Sequence, residues 1–116
     1  MDLKNQTVEL KQHLNRLKDK YENDEPPENK KDRQFFLKVK EESTPIYELL
    51  AKWEEDSLQI VKERKINVHP QQITSTRENM ELLLMHSFYI DVKRKRFMEL
   101  NNSIAYIFDQ LLREMN

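Results

Sequence analysis

The sequence predicts an all-α fold, an up-and-down four-helix bundle with a short extra helix before its second long helix. Three observations carry this expectation. Glycine is absent from all 116 residues, and tight β-hairpins need residues that reach positive φ without a side-chain clash. Apolar residues recur at three- and four-residue spacing over several long stretches, the period of one helix face rather than of a strand. Ser43-Thr44-Pro45 and His69-Pro70 each place capping side chains before a proline, a pattern that opens helices.

Composition bounds the rest. A chain of this length buries one core, so residues 1–116 are expected to form a single domain. Its 20 basic and 21 acidic residues nearly cancel, to a net charge of −1. Such a surface gives no global pull toward nucleic acid or anionic lipid. Cysteine is absent, which excludes disulfides, thiolate metal sites and a cysteine nucleophile. The first residues lack a signal-peptide apolar region, and no stretch reaches the roughly 18 apolar residues of a membrane span. Cytoplasm is the expected compartment.

The first helix is expected from about Asp2 to Glu22, with Leu3, Leu10, Leu14, Leu17 and Tyr21 in one row and Gln6 and Thr7 filling its gap. So narrow a stripe suits an edge of the core. Asn23 is a candidate left-handed stop. Residues 23–31 contain Pro26-Pro27 among charged neighbours and are expected to be a mobile linker. A short helix should follow from Asp32 to Glu42, turning Phe35, Phe36 and Val39 inward to plug one end of the bundle.

The main helix, Thr44 to Arg64, carries Ile46, Leu49, Leu50, Trp53, Ile60 and Val61 in one stripe. It holds the only tryptophan of the chain. Asn67 is expected to substitute for glycine at its end. The third helix starts at Pro70 and sets Ile73, Met80, Leu83, Leu84 and Ser87 on one face. Nothing from Gln71 onward is Gly or Pro, but one unbroken helix from there would span roughly 68 Å, longer than its partners can cover. A turn is therefore expected within Asp91 to Lys95. Phe97, Leu100, Ile104, Ile107, Phe108, Leu111 and Met115 then line the last helix.

Several of these residues resemble a known family. Phe35-Phe36, Leu50-Ala51-Lys52-Trp53, the run from Leu58 to Lys65, Val68-His69, Ile73, and Lys95-Arg96-Phe97 with Ile104 and Tyr106 are similar to the YppE-like family of small uncharacterised proteins of low-GC Gram-positive bacteria. The resemblance covers roughly Asp32 to Leu111. It implies an all-helical fold and, since the family has no assigned activity, no catalytic residues to carry over.

Metal and catalytic readings fail on spacing. Di-iron bundles carry Glu-x-x-His on two helices, whereas Leu10, Ile66 and Leu83 stand three residues before His13, His69 and His86. A Ser-His-Asp nucleophile turn has no glycine to build on. No catalytic residue, metal or cofactor is expected, and the chain is read as a non-enzyme.

Two features point elsewhere. Leu82, Met85 and Tyr89 face away from the main stripe of the third helix, with His86 beside them. Either the Phe35-Phe36 segment or the first helix covers this face, or it meets a partner protein or a second copy of the chain. Lys93-Arg94-Lys95-Arg96 is either a phosphate contact, on nucleic acid or lipid, or a solvated turn complementing the end of the third helix. A protein-interaction or scaffold module is the function expected; a weak nucleic-acid or phosphate-binding accessory using the basic turn is the alternative. Tyr106 also points off its own helix's stripe.

Overall fold

The computed structural model describes residues 1–115. It contains α1 (Leu3–Asn23), α2 (Arg33–Lys62), α3 (Pro70–Tyr89) and α4 (Arg94–Glu114), and no strand among the described residues. The all-α fold is the one the sequence predicts. Pairings between helix ends give the directions. Phe35 meets Tyr89 while Glu54 meets Arg77, so α2 and α3 are antiparallel. Tyr21 stacks on Phe97 while Lys11 pairs with Asp109, so α1 and α4 are antiparallel too.

In cross-section the bundle is a rhombus. The backbones of α1 and α3 each lie close to every other helix, whereas those of α2 and α4 stay apart and these two helices meet through large side chains, Trp53 and Phe108. The short diagonal therefore belongs to α1 and α3. This corrects the placing of α1 at an edge of the core. Its stripe is narrow, but Leu10, Leu14 and Leu17 are fully buried. A row of leucines one residue wide can still be enclosed when three helices crowd around it.

The core is one continuous cluster from Leu3 to Leu111, with Trp53 at its centre. The indole lies edge-on to Phe108, 5.3 Å between ring centroids. Its Nε1–H donates to Thr7 Oγ1 at 3.0 Å, and the Thr7 hydroxyl donates to the Leu3 carbonyl at 2.8 Å. The hydroxyl thus satisfies the indole and is itself satisfied, which a buried polar pair requires. Gln6, also buried, donates to Asp56 at 2.8 Å. Together these bonds set the register of α1 on α2.

The expected short helix does not stand apart. Residues 33–62 form one helix with Pro45 inside it. Proline removes an N–H and crowds the carbonyl four residues back, here Glu41, which is exposed and reachable by water. The hydroxyls that looked like caps bond backward instead: Ser43 donates to the Val39 carbonyl and Thr44 to that of Lys40. Such bonds occur inside helices. Val39, Ser43, Ile46, Leu50, Trp53 and Ser57 then make one buried row across the proline. Continuity of that row against α1 and α3 overrides the local break. Of the two aromatics expected inside, Phe35 packs on the core and Phe36 remains 55% exposed.

Helix ends also differ from expectation. Neither Asn23 nor Asn67 adopts positive φ; Arg64 (60°) and Ile90 (49°) do. At Arg64 the Lys65 N–H bonds to the Ile60 carbonyl and the Arg64 N–H to that of Val61, a Schellman closure. It turns the chain so that Ile66 and Val68 can be buried. Ile90 caps α3 in the left-handed region, which is unfavourable for a β-branched residue. Neighbouring groups hold it there. His86 Nδ1 lies 2.7 Å from Asp91, and Tyr21 donates to the Val92 carbonyl. At the start of α3 the expected cap is present: His69 Nδ1 accepts from Gln71 N–H, and Gln72 completes a capping box.

Candidate functional site

Three surfaces merit description, and each follows from how α3 and α4 are placed. The first is the outer face of α3. Because α3 already touches α1, α2 and α4, its apolar residues occupy more than one face. Ile73, Met80, Leu83, Leu84 and Phe88 are buried. Leu82 points outward and is 43% exposed, while Met85 and Tyr89 are partly buried against the rim of the core. Of the two coverings considered from sequence, the Phe35-Phe36 segment supplies a partial one. Phe35 covers Tyr89 with an edge-to-face contact at 5.2 Å, and Leu82 is left open. Phe36 and Leu37, near the start of α2, are further exposed apolar residues on the molecule. The sequence reading placed Phe36 inside, since residue spacing alone does not reveal that Phe35 and Val39 take the inward positions.

Second is the basic cluster. The turn between α3 and α4 closes at residues 90–93, so Arg94, Lys95 and Arg96 form the first turn of α4 and Lys93 is its N-cap. All four cations are exposed, as the solvated-turn reading expects, but they do not belong to the carboxyl end of α3. They stand at an amino end, where the helix dipole is positive and cations are unfavourable. No side chain caps this end and no acid lies in its first turn. Side-chain caps are present on the other three helices, from Asp2, Asp32 and His69. Arg94 reaches Glu22 at 3.6 Å and Arg96 reaches Glu99 at 3.9 Å, both on exposed side chains.

Third is an open groove of about 490 Å³ between α3 and α4. Gln72, Ser75 and Asn79 border it from α3, and Asn102, Ser103 and Tyr106 from α4, over a floor of Thr76 and Ile107. Tyr106 is 62% exposed, consistent with its position off the core stripe. A second hollow lies under the α2–α3 connection, where Asn67 N–H donates to Glu114 and Gln110 donates to the Asn67 carbonyl. Those bonds fasten the connection to the end of α4, and they account for its polar residues structurally. Sequence reading singled out Tyr106 but not its groove companions. Polar residues on the flanks of two separate helices become one surface only when the helices are paired.

Burial, then the nearby Arg16 guanidinium, holds His13 below the usual histidine range, with Glu9 opposing. Burial, followed by the Glu81 carboxylate, raises Tyr47. Arg77 is held more firmly charged, chiefly by its hydrogen bond to Glu54 at 2.7 Å. Among the described residues no three His, Asp or Glu side chains gather that could hold a metal ion. Among the described residues no helix is long and apolar enough to cross a membrane.

An antiparallel four-helix bundle with apolar interior and surface-only features defines the class. Residues 7–115 match a bacterial domain of unknown function (DUF1798), and the chain belongs to that family. It is 31% identical over 85 residues to the uncharacterized protein YppE of Bacillus subtilis (strain 168), a match spanning 69% of each chain. The fold also superposes on the crystal structure of yppE from Bacillus subtilis with a TM-score of 0.85. That superposition covers 97% of this chain and 91% of the other at 25% sequence identity. The family resembled by the framework residues is thus the family to which the chain belongs.

Proposed function

We propose that the chain is a non-enzymatic protein-interaction module that receives a partner protein on the outer face of α3. Leu82 is the observation that carries this reading. It is 43% exposed in the middle of a helix whose other apolar residues are buried or partly buried, and the partly buried Met85 and Tyr89 extend the apolar strip toward the Phe35 contact. An aromatic held in place by a neighbouring ring is a suitable anchor, since little side-chain freedom is lost on binding. Partner capture with the wild type, Leu82→Glu and Tyr89→Ala forms, with and without nuclease, tests the proposal. A specific partner retained by the wild type and lost by Leu82→Glu at unchanged helicity supports it. Equal retention by both, or no retained partner together with a monomeric wild type in sedimentation, overturns it.

A second reading rests on a separate observation, the uncapped and cationic start of α4. Lys93, Arg94, Lys95 and Arg96 would contact phosphate groups of a nucleic acid as a weak accessory site. Binding through phosphates falls steeply with added salt, whereas an apolar interface is nearly indifferent to it. Anisotropy of a labelled single-stranded oligonucleotide at low salt decides between them. Binding that disappears when all four cations become Gln supports the accessory role, and unchanged or absent binding removes it.

A further inference from the structure

We infer that the groove between α3 and α4 is a binding site for an uncharged saccharide of one or two rings. In a chain 35% charged, no acidic, basic or imidazole side chain borders it. A phosphate or carboxylate ligand would find no counter-charge there, which separates this surface from the cationic start of α4.

What the groove offers is a set of groups that both donate and accept. Carboxamides come from Gln72, Asn79 and Asn102, and hydroxyls from Ser75 and Ser103. Several are uncommitted. The Asn79, Ser103 and Tyr106 side chains have no hydrogen-bond partner among the described residues, whereas Thr76 on the floor is satisfied by the Gln72 carbonyl. The Gln72 side-chain Oε1 accepts from the His69 N–H, which leaves its amide protons for the groove. Sugar hydroxyls are ambivalent in the same way, so groups of this kind match them without requiring one fixed direction of each bond.

Shape agrees with chemistry. Gln72 and Asn79 are seven residues apart on α3, about 10 Å along the helix, which is the reach of two linked rings. Tyr106 stands at the rim, 62% exposed, with a phenol ring free to lie against the C–H-bearing face of a pyranose while its hydroxyl remains available. A nucleobase would use one planar edge and one stacking face, leaving most of a line of amides without work.

The test is a ¹⁵N–¹H titration of the full chain with cellobiose, maltose and diacetylchitobiose, and with adenosine as the contrasting ligand. For one of the disaccharides, shifts should be confined to residues 72–79 and 102–107, saturating in the millimolar range, about 1–10 mM. Tyr106→Ala should weaken that binding about fivefold, as expected for one aromatic contact, and Tyr106→Phe should largely retain it. Tyr106 is exposed, so neither variant threatens the fold. No shifts from any disaccharide, shifts indifferent to Tyr106→Ala, or saturation by adenosine in their place would each overturn the inference. Loss of the α3 partner in Leu82→Glu bears on the other reading alone.

Discussion

At the scale of single residues, Thr7 has more influence than its size suggests. Its hydroxyl accepts from the buried Trp53 indole and donates to the Leu3 carbonyl. Thr7→Val keeps the shape and removes the acceptor, so the indole N–H stays buried without a partner. The expected loss is about 1–3 kcal/mol in urea unfolding, with Thr7→Ser largely preserving stability. His13 carries a pH dependence. Its proton affinity in the folded chain is lowered, first by burial and then by Arg16, so the unfolded chain binds the proton more readily. The associated stability is complete above the ordinary histidine value of about 6.5 and declines as pH falls through and below it. Thermal melts between neutral and mildly acidic pH should therefore show a smaller drop for His13→Gln than for the wild type.

At the scale of elements, α2 and α4 each contradict a local rule. Pro45 interrupts the hydrogen-bond ladder of α2 at the exposed Glu41 carbonyl. Pro45→Ala restores that bond and relieves the crowding, and should raise stability by about 1–3 kcal/mol in denaturant unfolding. A loss on substitution would show that the proline relieves strain elsewhere in the helix. α4 begins with Lys93 in an extended N-cap conformation and no capping side chain. Lys93→Asp supplies the cap and suits the dipole, for an expected gain of about 1 kcal/mol. A cation cluster kept where it opposes helix stability marks a place to look for function. The same variant should therefore gain stability while weakening any phosphate binding.

At the scale of the whole molecule, the rhombus ties all four helices to one interior. Every helix contributes to a single cluster around Trp53 and the α1–α3 diagonal. We expect the chain to unfold as one unit despite the Pro26-Pro27 connection. Helicity by far-ultraviolet circular dichroism and Trp53 fluorescence should trace coincident transitions. A fluorescence change preceding the loss of helix would instead show α1 detaching through residues 24–32 as a separate step.

Much of this architecture was legible along the chain. Leu10, Leu14 and Leu17, or Phe97, Ile104 and Phe108, are buried where their spacing placed them, because helical periodicity and apolar transfer act residue by residue. His69 caps α3 for the same reason: a cap is a contact between close neighbours. Three things required the tertiary structure. Ser43, Thr44 and Pro45 read as a helix start, and only packing of the row from Val39 to Trp53 against α1 and α3 made them helix interior. Arg64 took the left-handed turn after α2 where Asn67 looked better suited, and Ile90 took another after α3 while Asn23 took none, since burying Ile66 and holding the α3–α4 turn outweighed intrinsic preference. The partial covering of the Leu82–Tyr89 strip and the uncharged groove beside Tyr106 exist only between elements. By itself the sequence determined that the fold is helical and which residues form most of the core, because those follow from short-range chemistry. Which surfaces remain open was decided by how the helices share that core, because exposure is a property of neighbours distant in the chain.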